Sequence, residues 1–132
     1  MPDTSQVLID LHNSKSFGLP VFEDNGTNKP TSRTAYSTVR IFDSGTEGVD
    51  LSHTDEQIIT LQIKLFYPSG TTDALIRAKV NEIMEGYSFN EHITGAGYKA
   101  VVSSKSRLEG SAERGWYSIA LRITFLFYLD RV

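Results

Sequence analysis

Between Gln57 and Tyr67 the side chains alternate in polarity with a regularity that leaves the chain little choice of conformation. Ile59, Leu61, Ile63, Leu65 and Tyr67 fall on one face of an extended segment, and Thr60, Gln62 and Lys64 fall on the other, because strand side chains point alternately to opposite sides. A strand buried on one face is therefore predicted. It must stop at Tyr67-Pro68-Ser69-Gly70, since Pro68 has no amide proton for a ladder and Gly70 tolerates unusual dihedrals. Thr72 or Asp73 can then accept the free amides of a helix running to about Met84. Ile76, Val80, Ile83 and Met84 form its apolar stripe, and Gly86 stands where a left-handed C-cap would fall. Strand, turn and a main helix over about 73–85 predict an α/β (α+β) domain. Its sheet is expected to be mixed or mainly antiparallel, flanked by that helix and by short helical segments.

The chain has 132 residues, of which 39% are hydrophobic, enough for one domain with its own core. Thirteen basic against 16 acidic residues give a net charge of −3, with no basic run. That balance argues against a general nucleic-acid binder, whose affinity rests on clustered Lys and Arg neutralising phosphates. With no cysteine, neither a disulfide framework nor a thiolate metal site is available. The longest wholly apolar run, Phe125 to Leu129, is far short of a membrane-spanning helix, and the amino terminus lacks a signal pattern. The expectation is a protein that is neither secreted nor inserted in a membrane.

Elsewhere the signals vary in strength. Thr4 to Leu11 suits a short helix, although Val7-Leu8-Ile9 would also suit a strand. Phe17 to Phe22 is a short apolar segment, and Thr27 to Thr34 reads as a surface loop. Tyr36 to Phe42 reads as a strand. From Asp43 to Glu56 the chain is rich in glycine and acid, holding Glu47, Asp50, Asp55 and Glu56, and an exposed loop is predicted at 43–56. Ser88 and Glu91 stand at capping-box spacing, so a further helical turn is expected to run to Gly95. Tyr98 to Ser104 and Trp116 to Leu129 are predicted to pair antiparallel. Their connection, 105–115, carries Arg107, Glu109, Glu113 and Arg114 and reads as an exposed hairpin arm. In the last strand Tyr117, Ile119, Leu121, Ile123, Phe125 and Phe127 share one face, but Leu126 and Tyr128 make the other face apolar as well. Leaving them in water forgoes about 1.5–3 kcal/mol each, so a cover is expected, either the first segment of this chain or another subunit.

The search for chemistry yields no catalytic, cofactor or metal site. His12, His53 and His92 are isolated and read as surface histidines, without the spacing that sets two imidazoles on one helical face. The acidic loop lacks the alternation and closing glutamate of a calcium loop. No Gly-x-Ser-x-Gly elbow occurs, and Gly95-Ala96-Gly97 lacks the third glycine of a dinucleotide fingerprint. Tyr36, Tyr98, Trp116 and Tyr117 lack interleaved cations, which favours core or interface packing over base stacking.

The order of parts carries more than any motif. A short amino-terminal segment leads to Pro20-Val21-Phe22, a Pro-containing loop and Ala35 to Ile41. The acidic loop, Leu61 to Gly70, the helix ending Ala78 to Met84, and a hairpin closing on an aromatic strand complete it. From about Phe17 to Leu129 this order resembles the tail terminator (tail completion) family of long-tailed bacteriophages, the minor tail protein U type. The resemblance implies a structural virion protein, not an enzyme and without cofactor. Six copies would form a ring on the tail tube, end its polymerisation, and offer a surface to the head-tail connector protein. Its partners would then be itself, the tail tube protein and the connector. DNA would pass through without sequence-specific binding, in a tail assembled in the host cytoplasm. Candidate contacts are Glu47, Asp50, Asp55, Glu56, Arg107, Glu109, Glu113, Arg114, Leu126 and Tyr128. The alternatives are a head-tail connector or neck protein, a tail tube subunit, and, last, a small enzyme using Asp50, His53 and Asp55.

Overall fold

A computed structural model describes residues 3–23, 34–48, 54–89 and 91–130. The alternating stretch is the central strand that the pattern demands. It lies in β3 (Thr54–Pro68), which pairs antiparallel along its whole length with β7 (Trp116–Asp130), from Thr54 opposite Asp130 to Pro68 opposite Trp116. Around this pair the sheet is built outward. β2 (Tyr36–Gly48) lies antiparallel on the other side of β3, and β1 (Val21–Glu23) adds to β2 in parallel. β5 (Tyr98–Arg107) pairs with β7, and β4 (His92–Gly95) closes the opposite edge. The order is β1-β2-β3-β7-β5-β4, with β6 (Ser111–Glu113) continuing the line of β5 along β7. The sheet is mixed, with one parallel pair, and with its two helices it makes an α+β domain.

Both helices cover the same face. α2 (Asp73–Gly86) buries Ile76, Val80 and Ile83, and α1 (Thr4–Ser14) buries Thr4, Leu8 and His12. Leu8, Ile76, Val80 and Ile83 join Ile59, Leu61, Ile63 and Leu65 of β3 and Leu121, Ile123, Phe125 and Phe127 of β7 in one core. The amino-terminal segment is thus a helix. It is capped by the Asp3 carboxylate, which accepts the Gln6 amide at 3.1 Å. A polar chain fastens it, from buried Thr4 and Gln57 out to exposed Asp43: Thr4 Oγ1 donates to Gln57 Oε1 (3.1 Å), and Gln57 Nε2 donates to Asp43 Oδ2 (2.7 Å).

Several expectations are corrected. The loop expected at 43–56 is strand at both ends, because β2 runs to Gly48 and β3 starts at Thr54; residues 49–53, Asp50 and His53 among them, lie outside the described residues. The expected arm at 105–115 is laid onto β7, with the Leu108 amide bonded to the Ala120 carbonyl at 2.8 Å. Polar side chains hid these strands because ladder bonds are made by backbone. The helical turn expected to Gly95 is β4, in which Ile93 pairs with Ala100 and packs on the core. The Glu91 carboxylate, instead of capping, takes the Lys15 ammonium at 2.8 Å.

Gly86 is not a left-handed cap. It is the last helical residue, and Lys105 Nζ reaches the orphan carbonyls of Met84 and Tyr87, both at 2.8 Å. The glycine is needed for room, since a Cβ there would stand 2.6 Å from the Phe17 ring. Thr72 holds the N-cap place of α2 but makes no side-chain cap bond, and Asp73 supplies the acidic first turn. The loop expected at Thr27 to Thr34 lies, but for Thr34, outside the described residues.

One rung bends the sheet. Asp43, Ile59, Phe125 and Val102 stand side by side across β2, β3, β7 and β5. On either side of it a flanking strand carries a bulge, β2 between Asp43 and Thr46 towards Gln57, and β5 between Val102 and Ser104 towards Thr124. Bulges raise local twist and curl a sheet.

Candidate functional site

Because the helices and the odd-numbered positions of β3 and β7 make the core, the even-numbered positions form a second sheet face on which no described helix lies. Register brings four strands' side chains together there. Near one end Tyr36 stacks on Phe66 with ring centroids 4.6 Å apart and meets Trp116 edge-on at 5.4 Å, while Phe22 meets Tyr36 at 6.0 Å. Such pairs add about 0.5–1.5 kcal/mol beyond burial. Burial raises the Tyr36 pKa, so its hydroxyl stays protonated at neutral pH. In the middle the face is cationic. The Arg40 and Arg122 guanidinium groups lie 4.7 and 5.5 Å from the Phe42 ring centroid, Arg122 Nε donates to Gln62 Oε1 at 2.9 Å, and Lys64 Nζ sits 5.3 Å from the Phe66 ring. At the far end Leu126 stands between Ile58 and Val101, and Tyr128 between Glu56 and Lys99. Ile58 is 45% exposed.

The candidate contacts are therefore not one site. Leu126, Tyr128 and Glu56 meet on the uncovered face, and they are half-buried. Covering by the first segment is excluded, because α1 packs against the opposite face. Glu47 pairs in register with Glu56, and Asp55 with Leu129, which sets them along the end of the sheet. Glu113 and Arg114 border a cleft of about 410 Å³ shared with Tyr36, Lys64, Phe66 and Trp116. Arg107 and Glu109 lie on the helix side, in a cleft of about 490 Å³ with Asp73, Arg77 and Tyr117. The sequence reading missed Arg40, Phe42 and Arg122. Alternation in the last strand sets Arg122 off the core face, the pattern of Tyr36 to Phe42 assigns no face to Arg40 and Phe42, and only register places the three together.

On the covered side, His12 is not the surface histidine expected. It is 3% exposed, and its Nδ1 lies 2.6 Å from the Tyr87 hydroxyl. Burial, with the Lys15 ammonium nearby, pushes its pKa down to about 4, so the imidazole is neutral. Burial, and then Glu91, pushes the Tyr87 phenol well above its ordinary value. The Tyr67 hydroxyl is buried with no hydrogen-bond partner among the described residues, and burial followed by the Glu82 charge raises its pKa. This arrangement suits a neutral, packed junction between α1, α2 and β5. His92 is exposed on edge strand β4. Among the described residues no group of three His, Cys, Asp or Glu is placed to hold a metal ion, and no helix is long and apolar enough to cross a membrane.

No family model matches the chain, and no curated protein matches it. A solved structure, of a protein carrying only a serial designation, aligns over 89% of this chain and 85% of its own with a TM-score of 0.65 and 14% identity. At that identity the likeness is one of fold alone, a mixed sheet with its helices.

Proposed function

We propose that this chain is a tail-terminator-type structural protein, which assembles as a ring, six copies in the family it resembles, on the finished tail tube of a long-tailed bacteriophage. The observation that carries the reading is the uncovered sheet face. Half-exposed Tyr36, Phe66, Trp116, Leu126 and Tyr128 line it together with Ile58, and apolar and aromatic surface of this kind is what protein interfaces bury. A tube of stacked rings grows while its last ring shows a self-complementary surface; a ring that covers that surface and presents a different one ends growth by occlusion. The head-tail connector would dock on the surface left outward, and DNA would pass through the opening without sequence readout. Glu56, with Glu47 and Asp55 beside it in register at one end of the sheet, and Glu113 and Arg114 at the other are the positions that would meet neighbours above and below.

The test is to add the purified protein to polymerising tail-tube subunits and measure tube lengths by negative-stain microscopy. Arrested, uniformly short tubes bearing a terminal ring are expected. Tubes that lengthen at the normal rate overturn the capping role, and long tubes formed by the protein alone identify a tube subunit.

A further inference from the structure

The exposed stripe of α2 ends in two carboxylates and the uncovered sheet face carries two guanidinium groups at its middle, and we infer that this sheet face receives the stripe of α2 from a second copy of this chain. The contact rests on the reading of the chain as a ring former, for which it supplies the interface between neighbours.

Leu75, Ala78, Glu82 and Glu85 stand at i, i+3, i+7 and i+10, one stripe on the side of α2 turned away from Ile76, Val80 and Ile83. All four are exposed, and Leu75, a large apolar side chain, is 53% exposed among the described residues. The stripe therefore reads apolar at one end and acidic at the other; its nearest cation, Lys79, is bound to Glu82 at 2.6 Å and to the Phe17 carbonyl, and Arg77 lies on the other flank. The sheet face has the complementary order. Ile58 and Leu126 form an apolar pair at one point, and Arg122 and Arg40 flank Gln62 further along the strands.

The spacings agree. From Leu126 to Arg122 is about 13 Å at strand rise. From Leu75, Glu82 lies about 10 Å along the helix and Glu85 about 15 Å. Laid along β7, the stripe sets Leu75 on Ile58 and Leu126 while both carboxylates reach the guanidinium groups that Phe42 holds in place. Sheet face to helix face is a heterologous contact, which repeats from copy to copy and closes into a ring when the rotation allows.

The absence of native cysteine makes the test direct. A disulfide forms only when the Cα atoms approach within about 7 Å, and positions 58 and 75 lie on opposite sides of one subunit. Mild oxidation of Ile58→Cys/Leu75→Cys should give a covalent ladder beyond the dimer, and a mixture of the two single variants should give mixed dimers in preference to either homodimer. Arg122→Glu, checked for native circular dichroism, should slow cross-linking about tenfold, with Glu85→Arg in the same chain restoring it. No cross-link, homodimers formed as fast as mixed dimers, or indifference to Arg122→Glu each overturn the contact. Tube-capping assays on the same variants separate the two ideas. Arrested tubes without the ladder refute this interface alone; a ladder with tubes that still lengthen refutes the terminator role alone.

Discussion

The two faces of this sheet are made from the same strands, one residue to each side in turn, and they have opposite fates. The odd-numbered side of β3 is sealed by two helices, its five residues from Ile59 to Tyr67 at most 2% exposed. The even-numbered side carries Arg40, Lys64 and Arg122 among aromatic rings, and no helix among the described residues covers it. One face makes the fold, and the other is left to make contacts. A two-layer domain can do this because covering a single sheet face already supplies a core.

The sharpest way to break the comparison is a pair of neighbouring substitutions. Ile63→Asp places an unpaired carboxylate in the core and should cost more than about 4 kcal/mol, abolishing cooperative unfolding by circular dichroism. Equal damage from Lys64→Asp would mean that both faces are covered. The covered side should also respond to acid. The folded pKa of His12, about 4, lies below the ordinary value of 6.5, so the native state binds fewer protons than the unfolded one. Its contribution is complete above about pH 6.5 and is lost as the pH falls towards 4. Denaturant titrations should show a drop on the order of 2–3 kcal/mol across that window, flattened in His12→Gln.

These predictions also show what was legible. The alternation of β3, the stripe of α2 and the turn at Gly70, whose φ is +95°, are local patterns that a single sequence displays. β4 and the outer lengths of β2 and β5 are not, because a neighbour's backbone selects them. Ser88 and Glu91 kept the spacing of a helix start, yet Ile93 gained more by joining the core beside Ala100. His12 was illegible for a related reason: its partner Tyr87 is distant in the chain, and only the docking of α1 brings them together. Of the candidate contacts, Leu126 and Tyr128 were visible as apolar residues on the face that should be wet. The cluster of Arg40, Phe42 and Arg122 depends on a register that no local pattern encodes.

Smaller effects sharpen the contrast. Thr4→Val removes the donor to Gln57 and leaves a buried carbonyl short of a partner, so a loss of about 1–2 kcal/mol is expected in the same titrations. Lys64→Asp, one position from the most damaging change, should shift stability by less than about 1 kcal/mol. Its effect should appear in the size of the assembly, measured by light scattering, because it puts a carboxylate on the cationic face.

The paired bulges beside the Asp43–Ile59–Phe125–Val102 rung give the molecule a crease. Each flanking strand takes one extra residue beside that rung, β2 on the Gln57 side and β5 on the Thr60 side, while the central β3–β7 ladder runs through unbroken, and bulges of this kind tilt the parts of a sheet that they join. In a closed circle of such subunits that tilt would act as a dihedral set in each tile. The bore of the finished circle would then depend on where two residues were inserted, and trimming both would open or tighten it.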